Sequence, residues 1–425
     1  MSKWSELKVS HKNEEAPNRK LAVSDEVAVF LQGQAEFRYN TVLCKVEYRI
    51  HTEEHWQEMS DRQANSWLVE LWTSGRNKAS KSMIDTIINS SFSKQYNPFK
   101  EYFEGLRHED SAGSIKELAG TLTLEEDNEG ERATLSELLR RWMIGTVACS
   151  VSDREINENI FILIGEQGDG KTRWLRSLMP KAIGETYRAS LDIKVGDKDS
   201  QIKLTENLFL ELDELVALRK NDIEQIKTLT SIDSINVRRP YDRYSSSYIR
   251  RASIYGCDNN EQIVQDMTGA RRFFVFKVKS CNYMHDIDID ACWHEAYTAW
   301  KAGERYWLDK EEIAQLNERN EQFQIQGIEE GLVIKYASHP DQDKESQEKY
   351  WLTTTEVAQR INAASLGLGM QLSNNIAAKR LSNALKKHGY VRKAKRVGGG
   401  SPRYRWFINV AEPESQAQNV SNTPF

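Results

Sequence analysis

No two cysteines of this 425-residue chain form a CxxC pair. Its five cysteines, Cys44, Cys149, Cys257, Cys281 and Cys292, are scattered. That suggests neither a disulfide framework nor a thiolate zinc site and fits a reducing cytoplasm. No apolar run approaches the roughly 18 residues a membrane span needs, and the opening MSKWSELKVSHKNEE lacks the apolar stretch of a signal peptide. Neither membrane insertion nor export is expected, and the expected location is the cytoplasm. An excess of positive charge is also missing: the formal net charge is -5 with 28% charged residues. Affinity for nucleic acid must therefore come from local patches. No internal repeat is present.

What is there reads as two or three domains. Residues 1–24 are polar and aperiodic, a flexible arm. Residues 25–106 form a small α+β leading domain, with FRYNTVLCKVEYRI alternating as strands and SKSMIDTIINSSF spaced as a helix. Over 107–335 a helix, LSELLRRWMIGTVAC, leads into strands NIFILIG, NLFLELD and RRFFVFKV that alternate with helices. This is the pattern of an α/β layer structure. Ile289, Cys292, Trp293, Ala296, Tyr297 and Trp300 recur at helical spacing, as core packing rather than a cofactor box. Polar residues 336–349 are the expected linker, 350–410 a compact basic domain, and 411–425 a disordered tail.

Residues 161–177, FILIGEQGDGKTRWLRS, place Gly165, Gly170, Lys171 and Thr172 in the spacing GxxxxGK[ST], with Gly168 between them. The strand-like NIFILI precedes this loop, and a helix, TRWLRSLM, follows it and stops at Pro180. Such a loop holds phosphate through backbone N–H groups backed by the positive end of the helix. Lys171 then reaches the β- and γ-phosphates of ATP, and Thr172 ligates magnesium. The carboxylates Glu166 and Asp169 occupy variable positions, from which their side chains can point away from phosphate. Asp169 is expected either to face solvent or to meet Arg272 of a neighbouring subunit. NLFLELDEL ends a strand in Glu211, Asp213 and Glu214, candidates to hold Mg2+ and to polarise the attacking water. Asn259 follows another apolar strand and suits contact with the γ-phosphate. Arg271 and Arg272 suit stabilisation of a phosphoryl-transfer transition state in trans.

The order GEQGDGKT, ELDEL, RRPYDR, GCDN, DMTGARRF resembles the virulence-associated protein E family over roughly residues 90–335, most specifically from Arg238 to Phe273. The resemblance implies an AAA+ type P-loop ATPase, similar to superfamily 3 helicases, that forms a ring, needs Mg2+ and acts on DNA in replication of phages and mobile elements. It places nucleotide cradling on Gly165, Gly170, Lys171 and Thr172, sensing on Asn259, and the trans-acting role on Arg271 or Arg272. The family shows acids at the positions of Glu211 and Glu214, which leaves open which acid holds the metal. Some relatives carry a primase domain ahead of the ATPase. The leading segment here is too small for one, so priming would come from a separate polypeptide.

Residues 235–251, INVRRPYDRYSSSYIRR, interleave Arg238, Arg239, Arg243, Arg250 and Arg251 with tyrosines. They suit either a loop tracking single-stranded DNA or an interface between subunits. From Val357 to Ala411 there is no Asp or Glu, while Lys379, Lys386, Lys387, Lys393, Arg396, Arg403 and Arg405 are basic. A capping box, Thr353 with Glu356, opens one helix, AAKRLSNALKKHGY reads as another, and YVRKAKRV, GGGSP, RYRWFIN read as a hairpin. Helices followed by a basic hairpin resemble a winged helix that binds duplex DNA. Docking on an acidic protein is the competing reading. The expected function is an ATP-driven DNA translocase or helicase. The alternative is an ATP-switched DNA-binding or loading factor, while a small-molecule kinase would need neither Asn259, TGARRF nor the basic module.

Overall fold

The alternation in FRYNTVLCKVEYRI folds as two antiparallel strands, β1 (Ala35–Asn40) and β2 (Lys45–Ile50), paired from Ala35↔Ile50 to Asn40↔Lys45. The computed structural model in which they are seen describes residues 22–108, 110–191, 198–213, 220–239, 245–259, 270–320, 323, 328–345, 347–364, 375–397 and 402–410. It divides into two units, Met1–Phe323 and Gln324–Phe425. Before β1 lies α1 (Val23–Gln34). After β2 come β3 (Gln57–Glu58), α2 (Asp61–Thr73), α3 (Lys81–Ile88), β4 (Lys94–Tyr96) and α4 (Pro98–Gly105), giving a sheet ordered β3-β2-β1-β4. Ser60, Ser80 and Asn97 each accept backbone N–H bonds at the start of α2, α3 and α4.

This leading segment has its own cluster around Val27, Tyr48, Trp67 and Ile84, yet it is not a separate domain as the sequence suggested. Val42, Phe99, Phe103 and Leu106 join the main core with Trp142 and Trp293. Buried Asn40 fixes the β1–β2 turn: its Oδ1 accepts from the N–H groups of Val42 and Leu43, and its Nδ2 donates to the Tyr187 hydroxyl at 2.8 Å.

The main sheet is ordered β5-β12-β6-β11-β8-β7. The chain reaches it through α5 (Ser114–Gly120), β5 (Leu122–Leu124) and α6 (Glu129–Val151). The phosphate-loop strand β6 (Ile160–Ile164) follows, then α7 (Lys171–Ser177), β7 (Arg188–Ser190), α8 (Lys198–Glu206) and β8 (Phe209–Asp213). Helix α9 (Lys220–Ser231) and the hairpin β9 (Ser234–Val237) and β10 (Ser246–Ile249) precede β11 (Ser253–Asp258) and β12 (Phe273–Cys281). Strands β12, β6, β11, β8 and β7 run parallel, and β5 closes one edge antiparallel to β12.

Strands covered on both faces need continuous apolar runs, and all five residues of β6 are buried. Alternate residues feed two layers. Phe161 and Leu163 pack with Trp142, Phe209 and Trp293, while Ile160, Ile162 and Ile164 pack with Leu210, Ile254 and Val275. Trp142 of α6 stacks on Phe209 at 5.7 Å and donates its indole N–H to the Ile254 carbonyl. The aromatic stripe forms α10 (Ile289–Lys301), in which Cys292, Trp293 and Ala296 are buried as core packing. Helix α11 (Lys310–Asn320) completes the unit.

The second unit begins earlier than the composition implied. Residues 328–335, read as part of the core domain, belong to α12 (Ile328–Tyr336), and Leu332 and Val333 of this helix pack with Leu352, Val357, Leu381 and Trp406. The supposed linker holds structure too: β13 (Ala337–Ser338) pairs with β17 (Asn409–Val410). Around them lie β14 (Trp351–Leu352), α13 (Thr354–Ala364), α14 (Asn375–Lys387), β15 (Arg392–Lys395) and β16 (Arg403–Phe407), with sheet order β14-β16-β15. The capping box is reciprocal: Thr353 N–H donates to Glu356, and Glu356 N–H to the Thr353 hydroxyl.

Candidate phosphate-loop site

The loop between β6 and α7 has the backbone that its glycines allow. Gly168 and Gly170 have φ of 101° and 85°, in the region that side chains with a Cβ avoid. Gly170 caps α7 without any side-chain hydrogen bond, leaving the first amides of the helix facing the loop. A Cβ on Gly165 would lie 2.4 Å from the Val278 carbonyl oxygen, and one on Gly170 would lie 2.8 Å from that of Cys281. Gly170→Ala is therefore expected to cost about 1–2 kcal/mol from the left-handed backbone alone. Thermal unfolding checks this.

Lys171 is 5% exposed, and its ammonium donates to the Gly165 and Glu166 carbonyls. The Thr172 hydroxyl lies 3.2 Å from the Cys257 sulfur at the end of β11. Loop and strand are tied where Gly165 N–H donates to the Asp258 carbonyl at 3.2 Å. A cavity of about 720 Å³ opens here, lined among others by Gly168, Gly170, Lys171, Thr172, Asp258 and Asn259. Asn259 is exposed at its wall. Glu166 is exposed as well, whereas the Asp169 carboxylate folds back against Gly165, 2.7 Å from where a Cβ there would sit. Nearby burial pushes the Cys281 thiol up to about 12, so it stays protonated.

Among the lining residues the sequence passed over are Asp258 and Tyr283. Asp258 stands beside Asn259 in the quoted GCDN run, and its place at the end of the strand flanking the loop was the available signal. Tyr283 follows β12, and its proximity to the loop depends on strand order, which local pattern does not encode.

A family model, the virulence-associated protein E-like domain, matches residues 110–325. The chain belongs to this family. No curated protein matches it. Among solved structures, the apo C-terminal region of NrS-1 (305–718) is 13% identical, with 92% of this chain and 100% of that chain covered at a TM-score of 0.46. An A-form apo structure of the same region is 16% identical, covering 90% and 98% at a TM-score of 0.44.

Within this family member several expected site residues have other partners. Glu211, a candidate magnesium ligand, is 2% exposed, and its Oε2 accepts from Arg176 at 3.1 Å and Arg188 at 2.9 Å. Two guanidiniums compensate its burial, and it does not line the cavity. Beside it in the sheet stands Tyr255, whose hydroxyl pKa burial raises strongly. Arg272, expected to reach across to a neighbouring subunit, instead bonds the Ser231 hydroxyl at 2.8 Å and pairs with Glu158 at 3.3 Å. Arg271 is exposed. Asp213 ends β8, with its side chain outside what the structure describes, and Glu214 lies outside the described residues.

The arginine run is likewise divided. Arg239, expected on DNA, is buried: it donates to the Leu43 carbonyl at 2.9 Å, pairs with Glu206, and lies over the Tyr248 ring at 4.4 Å. Arg250 is fully buried and bonds the carbonyls of Thr230, Asn157 and Ala252. Arg251 bonds the Ser152 carbonyl and Asp153. Arg238 is exposed, and Arg243 lies outside the described residues.

In the second unit Arg405, expected on DNA, closes on the capping box, donating to Glu356 at 2.8 Å and the Trp351 carbonyl at 3.1 Å. Lys393 pairs with Glu345 at 2.8 Å while remaining half exposed. Lys386, Arg396 and Arg403 are exposed, and the side chains of Lys379 and Lys387 are outside the described ones. Among the described residues, no helix is long and apolar enough to cross a membrane.

Proposed function

We propose that this chain is an AAA+ type, Mg2+-dependent ATPase that moves or opens DNA during replication of a phage, plasmid or integrated mobile element, working as a homo-oligomeric ring. The observation behind this reading is the convergence of Lys171, Thr172 and Asn259 on one cavity at the carboxyl ends of parallel strands, where ligands of open α/β sheets bind. Strand β11 lies between the loop strand β6 and the acid-bearing strand β8, so a polar group at its end stands beside both the γ-phosphate and an attacking water. The donors suit magnesium, since the Thr172 hydroxyl and the Asp258 carboxylate are hard oxygens on the same cavity. With Asp213 at the end of β8, they are the groups that would hold the ion, which would neutralise charge on the β- and γ-oxygens. Glu214 is the proposed residue for orienting water, and Arg271 is the better placed of the two arginines to act in trans.

One observation favours the second reading, an ATP-switched DNA-binding or loading factor. Arg239, Arg250 and Arg251 are spent on carbonyls and carboxylates of their own subunit, which removes three of the five arginines from a strand-tracking loop. Duplex contacts would come from Lys386, Arg396 and Arg403 on the winged-helix-like unit, which are exposed. ATP hydrolysis is expected to rise with single-stranded DNA, together with strand separation on a forked substrate. Stimulation without separation decides for the loading factor, and hydrolysis indifferent to DNA sinks both.

A further inference from the structure

The cavity continues past the phosphate loop on the side away from Asn259. Strands β11 and β12 flank β6 on opposite sides. Asn259 follows β11 and Tyr283 follows β12, so the two residues stand on opposite flanks of the loop and line the same cavity. On the proposed reading of the site, the γ-phosphate lies at the Asn259 flank, where the acid-bearing strand β8 is the next neighbour. A nucleoside triphosphate laid along the loop must then send its ribose and base toward Tyr283.

Tyr283 is held in place for such a role. Cys281 N–H donates to the Asp169 carbonyl at 2.8 Å, and Asn282 N–H to that of Thr121 at 3.0 Å, which pins the segment leaving β12 to the loop. The ring edge rests on Gly170, where a Cβ would come within 2.8 Å of it. Arg173, on the first turn of α7, donates to the Tyr283 hydroxyl at 2.8 Å, and its guanidinium lies 5.0 Å from the ring centroid. Met284, the next residue, is 77% exposed. Aromatic rings and guanidinium planes are the surfaces on which bases stack.

We infer that Tyr283 is the platform on which the nucleotide base stacks and that Arg173 fixes the plane of its ring. This rests on the phosphate-loop reading and adds a base-binding subsite to it. The test compares binding of ATP with binding of inorganic tripolyphosphate, which has no base, by the full chain. Tyr283→Leu still fills the space beside Gly170 but has no ring face. It is expected to weaken ATP binding by about tenfold to a hundredfold and to leave tripolyphosphate binding unchanged, with Tyr283→Phe, which keeps the ring face but loses the bond from Arg173, falling between Tyr283→Leu and the unmodified chain for ATP and unchanged for tripolyphosphate. Equal weakening of both ligands would mean that the ring only props the loop, and unchanged ATP binding would mean that it touches no base; either result overturns the inference. Lys171→Ala separates the two levels: should it lose neither ligand, the phosphate-loop reading itself fails, whatever Tyr283 does.

Discussion

Hydrolysis of ATP is expected to fall by about a hundredfold to a thousandfold when Lys171 is replaced by alanine, the usual loss on removing one preorganised donor from a transition state. Lys171 is 5% exposed and its ammonium donates to the Gly165 and Glu166 carbonyls, within the loop it belongs to. It can exchange these neutral acceptors for phosphate oxygens, on which its charge is worth more. Little of the fold depends on it, because Glu166 is exposed and its carbonyl lies on a solvated loop. Steady-state hydrolysis and a thermal melt on the same preparation separate the two effects. A variant that melts with the parent but retains more than about a tenth of its rate would remove the basis for the ATPase proposal.

Arg250 makes the opposite case. Its replacement by alanine is expected to destabilise the first unit by about 3–5 kcal/mol, with no direct role in chemistry. The guanidinium is fully buried and joins the carbonyls of Thr230 in α9, Asn157 ahead of β6 and Ala252 ahead of β11. Burial lowers its pKa, so part of the gain from these bonds offsets desolvation. Removing the side chain nevertheless leaves three acceptors without their donor, at roughly 1–3 kcal/mol each before relaxation. Arg238→Ala, twelve positions earlier at an exposed site, should cost much less, because water can solvate the groups it leaves. Urea unfolding of the two variants gives the comparison, and equal midpoints would return Arg250 to the nucleic-acid candidates.

The contrast between these arginines shows where sequence reading stops. Continuous apolar runs made β6, β8, β11 and β12 legible, because a strand buried on both faces tolerates little else. The glycines around Lys171 were legible for an equally local reason, since positive φ and a close backbone neighbour both exclude a Cβ. So was the Thr353–Glu356 box, whose partners are three residues apart. Arginine offers no such local constraint. In INVRRPYDRYSSSYIRR a guanidinium that will clasp the Leu43 carbonyl looks the same as one that will meet phosphate, because its partner lies 196 residues away. Glu211 was misread for the same reason: Arg188 reaches it from the paired strand β7 and Arg176 from helix α7, 23 and 35 positions away. Composition misled at residues 336–349, where polar side chains hid the backbone pairing of β13 with β17.

The β1–β2 turn has a consequence for where this protein can be cut. The family match begins at residue 110, and a fragment started there would seem to hold the whole phosphate-loop sheet. Yet Val42 from that turn, with Phe99 and Phe103 from α4, lies in the core beside Trp142 and Trp293, Phe99 meets Tyr187 edge-on at 5.2 Å, and Arg239 donates to the turn's Leu43 and Val42 carbonyls. Severing the chain at residue 110 would leave an apolar wound next to an orphaned guanidinium. The limits of the family match and the limits of the hydrophobic core fall at different places here, and the shortest fragment that keeps this core whole is longer than the matched one.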